Sequence, residues 1–245
     1  MNLTVLGAAG SYPTADEPGS GFLLEADGAR IVLDLGSGTL PRLLDEVPIH
    51  AVDAVVVTHG HADHSADLLA WYHLARHGIP PRSSVPLFAP TDVVERVGGF
   101  LRKGPEELAM VFAHHPVEPG VTGTVAGVSL TFGAVVHPVP AVAVRVEAAG
   151  KSMVYTGDTA PSAEVVALAS GCDLLVCEAT LVEETVPGIH CSAEDAGAMA
   201  RDAGAGALLL THLRPDQEPE AAIEAAGREF AGPLDVAKSG LTRSI

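Results

Sequence analysis

Short apolar runs, each bounded by turn residues, recur along the whole chain, and their length and phase separate strands from helices. LTVLG (3–7), GFLLEA (21–26) and RIVLDLG (30–36) predict three early strands. DAVVVTH (53–59) predicts a buried strand, because Ala54 to Val57 leave no polar face. SADLLAWYHLAR (65–76) carries apolar residues at helical spacing, with Ser65 near its start. VPLFAP (85–90) reads as a short strand and TDVVERVGGFL (91–101) as a helix capped by Thr91. From 127 to 157 the texture is β again: GVSLTFGAVVH, AVAVRVEAAG and KSMVYTGD, with Ala-Ala-Gly-Lys suited to a hairpin turn. Then come a helix in PSAEVVALAS with Pro161 at its start, a strand in CDLLVCEAT and a helix in SAEDAGAMARDAG closed by Gly204. ALLLTH (207–212) predicts a last strand and PEAAIEAAGREF (219–230) a last helix. β-rich segments therefore lead, and alternating strands and helices follow. Face-to-face sheets with helices outside, an α/β layered sandwich, fit that order.

Composition narrows the picture. The chain has 245 residues, 47% of them hydrophobic, enough for a sizeable core. No linker composition or short repeat divides it, so residues 1–245 are read as one domain. No apolar run approaches the roughly 20 residues of a membrane span, and the start MNLTVLGAAGS lacks the pattern of a signal peptide. Three cysteines, Cys172, Cys177 and Cys191, are odd in number and clustered late. That disfavours a disulfide framework and makes a reducing cytoplasm the expected location. With 14 basic and 31 acidic residues the net charge is −17. Long nucleic acids need clusters of Lys and Arg on their phosphates, so a long polyanionic partner is not expected. A small anion held by bound cations is compatible with this charge.

The chemistry concentrates in THGHADHSADL (58–68), where His59, His61, Asp63 and His64 follow the buried strand. Residues two apart in extended chain point to one side, so His59 and His61 pair there, and Asp63 and His64 turn toward a neighbouring position. One loop can then serve two metals, with imidazoles for a borderline ion and a carboxylate for a second. A chance His-rich surface loop is the alternative. It loses ground because His137, Asp158 and His212 also stand at the ends of predicted strands. Four strand ends deliver metal-competent side chains.

These segments, with LTVLGAAGS, LDLGSG, HPVP, YTGDT, CEATL and HCSAEDAGAMARDAGAGALLLTH, resemble the metallo-β-lactamase fold hydrolases over nearly the whole chain. The resemblance implies a four-layer αββα sandwich and a dinuclear site. His59, His61 and His137 would hold one divalent ion and Asp63, His64 and His212 the second, with Asp158 bridging. Zinc is the expected metal, with manganese and iron also accepted by such ligands. A hydroxide between the ions would be the nucleophile. Asp34 in LDLGSG resembles the family's acid beneath the His loop, orienting an imidazole. A plain strand-end turn residue is the competing reading.

Within the fold, HPVPAVAVRV, CEATL and IHCSAEDAG resemble the phosphodiesterase branch, which includes ribonuclease Z and bacterial cyclic-nucleotide phosphodiesterases. Cys177 stands where that branch has histidine. The implied catalytic residues are Asp63, Glu178 and His190, an imidazole held by a carboxylate being able to protonate a departing alkoxide. Only twenty residues separate His137 from Asp158, too few for the tRNA-binding arm of ribonuclease Z. The expected activity is hydrolysis of a small phosphodiester, a 3′,5′-cyclic nucleotide first. Ribonuclease Z-like processing, lactone or thioester hydrolysis and non-catalytic metal or nucleotide binding are the alternatives, and a homodimer is left open. His73 and His77 are read as surface or packing residues on a helix, His50 as an exposed loop residue. His114 and His115 are placed in a loop near the pocket mouth.

Overall fold

The computed structural model describes residues 1–81, 83–182 and 188–245. Among these, two mixed seven-stranded sheets stack face to face. The first contains β1 (Asn2–Gly7), β2 (Gly21–Ala26), β3 (Ala29–Leu35), β4 (Ala54–Val56), β5 (Val85–Ala89) and β6 (Phe112–Pro116). The second contains β7 (Thr122–Val125), β8 (Val128–Ala134), β9 (Val142–Ala148), β10 (Lys151–Tyr155), β11 (Leu174–Glu178), β12 (Leu208–Thr211) and β13 (Leu234–Val236). The last strand, β14 (Thr242–Ser244), returns to the first sheet and pairs with β1, so its order is β14-β1-β2-β3-β4-β5-β6; the second runs β13-β12-β11-β10-β9-β8-β7. α1 (Thr39–Glu46), α2 (Ala62–Ser65), α3 (Asp67–His77), α4 (Thr91–Leu101) and α5 (Pro105–Ala109) accompany the first sheet, and α6 (Ala163–Leu168), α7 (Ala193–Ala203) and α8 (Pro219–Gly227) the second. The result is the four-layer αββα sandwich that the resemblance implies.

The inner strands of each sheet look nearly continuously apolar because most positions on both of their faces are covered. Phe22, Leu24, Ile31, Leu33 and Val56 turn inward to meet Phe132, Val144, Val146 and Tyr155 of the second sheet. Their sequence neighbours Leu23, Val32 and Val55 turn outward, under Leu43, Leu68 and Trp71 of the helices. On the far side Val154, Leu175 and Leu210 carry a third apolar layer of α6, α7 and α8, rich in alanine, which lets the helices sit close. β3 through β6 run parallel, as do β10 through β13. Their carboxyl ends are where loops of an α/β fold gather ligands.

Several local expectations need correction. Thr91 is the first helical residue of α4 and its side chain caps nothing; Pro90 holds the N-cap position. Pro161 precedes α6, whose cap is Ser162, accepting from the Val165 N–H. The helix expected over 65–76 is two pieces, α2 and α3, with Ala66 between them in helical conformation. The strand expected to run to His137 ends at Ala134, and the one expected to run to His59 ends at Val56. His114 and His115 lie in β6, not in a loop, with His115 stacked on Phe88 and His114 bonded to the Ala89 carbonyl. The hairpin turn between β9 and β10 is Ala149–Gly150, both at positive φ, the twist that a two-residue hairpin requires. Gly204 ends α7 in left-handed conformation. No described helix is long and apolar enough to cross a membrane.

Candidate metal centre

The candidate residues arrive from the segments that follow β4, β8, β10 and β12, with Asp63 and His64 in α2. His59, His61, His137 and Asp158 bring one donor atom each to within 4.8 Å of one another, and so do Asp63, His64 and His212. Asp158 also forms such a group with His190 and His212. Asp158 thus lies between the sets, 3.6 Å from His59 Nε2, 3.0 Å from His64 Nε2 and 3.4 Å from His212 Nε2. His59, His64, Asp158 and His212 are buried; His61, Asp63 and His137 are partly open.

Hydrogen bonds around the rim fix which ring nitrogen faces inward. Thr58 donates its hydroxyl to Asp34 Oδ2 (2.9 Å), so toward His59 it accepts, and the His59 proton sits on Nδ1 (3.1 Å). His64 Nδ1 donates to Asp34 Oδ2 at 2.7 Å. His137 Nδ1 donates to the Ile189 carbonyl at 3.1 Å. Thr180 donates to Glu178 Oε2 (2.7 Å) and accepts from His212 Nδ1 (2.9 Å). Each of these four imidazoles therefore turns the Nε2 lone pair of its neutral form into the cluster, the tautomer that metal ligation uses.

Of those inward atoms, His212 Nε2 meets Asp63 Oδ2 at 3.1 Å, while those of His59, His137 and His64 have no adequate partner. His59 Nε2 and His137 Nε2 both face His61 Nδ1, at 3.0 and 3.3 Å. A single proton on His61 cannot serve both well, whereas a cation serves all three. His64 Nε2 and Asp158 Oδ1 are buried and have no hydrogen bond among the described residues, although they are 3.0 Å apart. Imidazole and carboxylate donors converging in this way fit a divalent ion.

The electrostatics agree. Burial pushes the pKa values of His59, His61 and His137 down, which keeps them neutral and able to ligate. Burial alone would raise Asp63 and Asp158, but the hydrogen bond from His212 to Asp63, and the charges of His212 and His64 beside Asp158, hold both well below the carboxylate range. The same carboxylates act in return. Burial opposes protonation of His64 and His212, yet Asp158, with Asp34 for the first and Asp63 for the second, raises both. This half of the site draws positive charge.

Glu178 and His190 stand beside the cluster. His190 Nδ1 donates to Glu178 Oε1 at 2.9 Å, and its ring stacks on His212 with centroids 5.5 Å apart. Glu178 also accepts from Thr159 N (2.7 Å), so the carboxylate is locked. Burial raises its pKa, against the His190 bond that lowers it. A capping box between Ser192 and Asp195 starts α7 and sets the backbone just after His190. Cys177 and Cys191 are buried in the outer apolar layer; the Cys177 thiol, then burial, push Cys191 well up. An inert thiol pair of this kind suits packing.

Three residues escaped the sequence reading: Thr58, Thr180 and Tyr155. The two threonines relay Asp34 to His59 and Glu178 to His212, and the Tyr155 hydroxyl donates to Asp34 at 2.7 Å. Both threonines sit inside the motifs THGHADH and CEATL, Thr58 next to His59 and Thr180 two residues after Glu178, and that was the available signal. His50, His73 and His77 are exposed and distant from these bonds.

Comparison with known proteins shows the family. The family described as "Beta-lactamase superfamily domain" matches residues 29–213. The chain is 29% identical to the probable metallo-hydrolase YhfI of Bacillus subtilis, covering 98% of each. It is 31% identical to a protein named ribonuclease Z from Mycolicibacterium gilvum, over 89% of this chain and 86% of that one. The crystal structure of the metallo-β-lactamase fold protein YhfI superposes with a TM-score of 0.89 at 27% identity, covering 99% of each chain.

Proposed function

Because the chain belongs to the β-lactamase superfamily and is a metal-dependent hydrolase, we propose that it cleaves a small phosphodiester, a 3′,5′-cyclic nucleotide first among them. The whole of 1–245 would act as one hydrolase domain. Two divalent ions, zinc or else manganese or iron, would be held by His59, His61 and His137 and by Asp63, His64 and His212, with Asp158 between, and would supply Lewis acidity and an activated water. The rest is the work of the chain. Asp63 is held in place by the Ser11 N–H (2.9 Å) and His212 (3.1 Å), which fixes the anionic wall of the site. Glu178 orients His190 and accepts its Nδ1 proton, which leaves Nε2 as the atom that carries a second proton to a departing alkoxide.

The Glu178–His190 pair is the observation that carries the proposal. An alkoxide leaves a phosphodiester only with a proton, whereas a thiolate leaving a thioester needs little help. The relative named ribonuclease Z makes RNA processing the second reading. Against it, the stretch between His137 and Asp158 folds into β9, β10 and a two-residue turn, and the net charge is −17. A precursor tRNA requires several Lys or Arg contacts. Three buried free thiols fit a cytoplasmic enzyme.

The test is turnover of 3′,5′-cyclic AMP, bis-p-nitrophenyl phosphate, a lactone, a thioester and a tRNA precursor at low salt, by the wild type and by His190→Ala. The expected result is phosphodiester turnover, with His190→Ala slowing the cyclic nucleotide by roughly 10²–10⁴-fold and the p-nitrophenyl ester much less. Equal losses would give His190 a positioning role only. Release of the tRNA trailer without cyclic nucleotide turnover, or hydrolysis confined to lactone or thioester, would overturn the proposal.

A further inference from the structure

A cleft of about 450 Å³ opens beside the cluster, and one of its walls is His61 itself. The opposite sides are two helical rows. Ser65, Ala66 and Leu69 line it from the α2–α3 run, and Arg96, Val97 and Phe100 from α4. Ser65 and Leu69, like Arg96 and Phe100, are four residues apart, so each pair points the same way. Val97 forms the buried floor, and Phe100 is 75% exposed at the outer end. Phe100 thus presents most of its ring to the open side of the cleft.

Arg96 sits at the inner end. A Cβ added to Gly60 would meet its Cδ at 3.0 Å and its Nε at 3.1 Å, so the side chain lies across the backbone between His59 and His61. Among the described residues it makes one hydrogen bond, from Nε to Asp92 Oδ2 at 3.2 Å. The order along the cleft is therefore cluster, cation, then apolar shelf. Arg96 and Phe100 are one helical turn apart, about 6 Å along the axis. A larger cleft between Leu181 and Ala221 contains no cluster residue.

Resting on the phosphodiesterase reading above, we propose that this cleft binds the nucleobase side of the substrate, with Phe100 and Leu69 taking the flat ring and Arg96 facing the phosphate. The charge order matches a nucleoside phosphate, anionic at the cluster end and aromatic at the other. Stacking on Phe100 tolerates any base, so the cleft selects for an aromatic group without dictating which one. The volume falls within the range of small-ligand pockets, about 300–1,000 Å³.

The experiment is calorimetric binding of 5′-AMP and of ribose 5-phosphate to the purified full chain, as wild type, Phe100→Ala and Ile223→Ala. The two ligands share phosphate and sugar, so the ratio of their affinities isolates the base. Phe100 is exposed, so its truncation spares the core; Ile223, 37% exposed on α8, controls for loss of surface apolar area. Wild type should prefer AMP, and Phe100→Ala should cut that preference on the order of tenfold, while Ile223→Ala keeps it. No binding of either ligand, an equal affinity for both in the wild type, or a preference unchanged in Phe100→Ala, overturns the proposal. So does a change in oligomeric state in Phe100→Ala without a change in preference, which would make the shelf a contact between copies. A collapsed preference in a protein that turns over no phosphodiester would instead sink the activity and leave the cleft standing.

Discussion

Asp34→Asn removes one negative charge and almost no volume, so its effects report on the hydrogen-bond network alone. The Asp34 side chain is fully buried, and both oxygens accept only. Oδ1 takes the Thr58 N–H at 2.7 Å, and Oδ2 takes the Thr58 hydroxyl, His64 Nδ1 and the Tyr155 hydroxyl. An asparagine offers one acceptor and one donor. If its NH2 faced the Thr58 N–H, two donors would collide, so the amide must turn its NH2 toward the other three groups. The hydroxyls can rotate to accept. His64 can accept only by moving its proton from Nδ1 to Nε2, the atom that faces Asp158. The substitution should therefore weaken metal binding on the Asp63–His64–His212 side by about 10–100-fold, the range for an orienting acid behind a ligating histidine. Four charge-assisted bonds become neutral ones at about 1 kcal/mol each, a loss of roughly 4 kcal/mol. For a chain of this size that corresponds to a fall in Tm of about 8–16 °C. Metal affinity by chelator competition and thermal melting are the two assays. Wild-type metal affinity in a folded Asp34→Asn protein would refute the tautomer argument, whatever its melting temperature.

Two further outcomes follow from the same geometry. Metal affinity should rise with pH and then level off. His64 and His212 have raised pKa values, so protons occupy Nε2 at low pH and must leave before an ion can bind; chelator competition giving a flat affinity through the acid-to-neutral range would contradict this. Gly36→Ala should cost about 1–3 kcal/mol and lower metal content, because the added Cβ would lie 2.0 Å from the Asp63 carbonyl oxygen. Gly99→Ala in α4, where nothing lies within 4 Å, should instead gain about 0.5–1 kcal/mol. Similar melting temperatures for the two variants would mean that the motif loop is not clamped from behind.

The parts of the fold that were legible are those where burial dictates side-chain type. β1 to β5 and β9 to β12 are buried at most positions on both faces, so their runs are apolar and stand out, while β8 alternates buried Val128, Leu130 and Phe132 with more open neighbours. β6, β13 and β14 lie at sheet edges, and β7 at the other edge of the second sheet; FAHHP, LDV, TRS and TGTV are half exposed and carry no such pattern. Backbone pairing alone makes them strands, and a sequence shows backbone pairing poorly. α1 was missed for a related reason. TLPRLLDE is short, with Pro41 in its first turn and only Thr39, Leu40 and Leu43 buried. The cap expected at Thr91 and the helix start expected at Pro161 were each misplaced because both residue types suit a helix start, and only the chain path decides which neighbour takes the position.

The candidate site was legible for a different reason: histidine and aspartate at strand ends are rare choices unless something binds there. What the sequence could not separate was two roles for one residue. Asp34 in LDLGSG reads equally as a turn residue and as an orienting acid. It has φ +57° at the end of β3, the left-handed region that aspartate tolerates better than most residues, and it also accepts four hydrogen bonds. The two readings describe the same fact. The left-handed backbone at the end of a fully buried strand accompanies a carboxylate that lies beneath the His loop, where Thr58, His64 and Tyr155 converge. His212 repeats the arrangement at the end of β12, with φ +60° and Nδ1 held by Thr180. Backbone conformations of this kind cost about 1–3 kcal/mol outside glycine and persist where surrounding contacts hold them. At both positions those contacts are the hydrogen bonds that orient an imidazole. Fold and site are therefore specified by the same residues, which is why the strand ends were readable as chemistry before any contact was known.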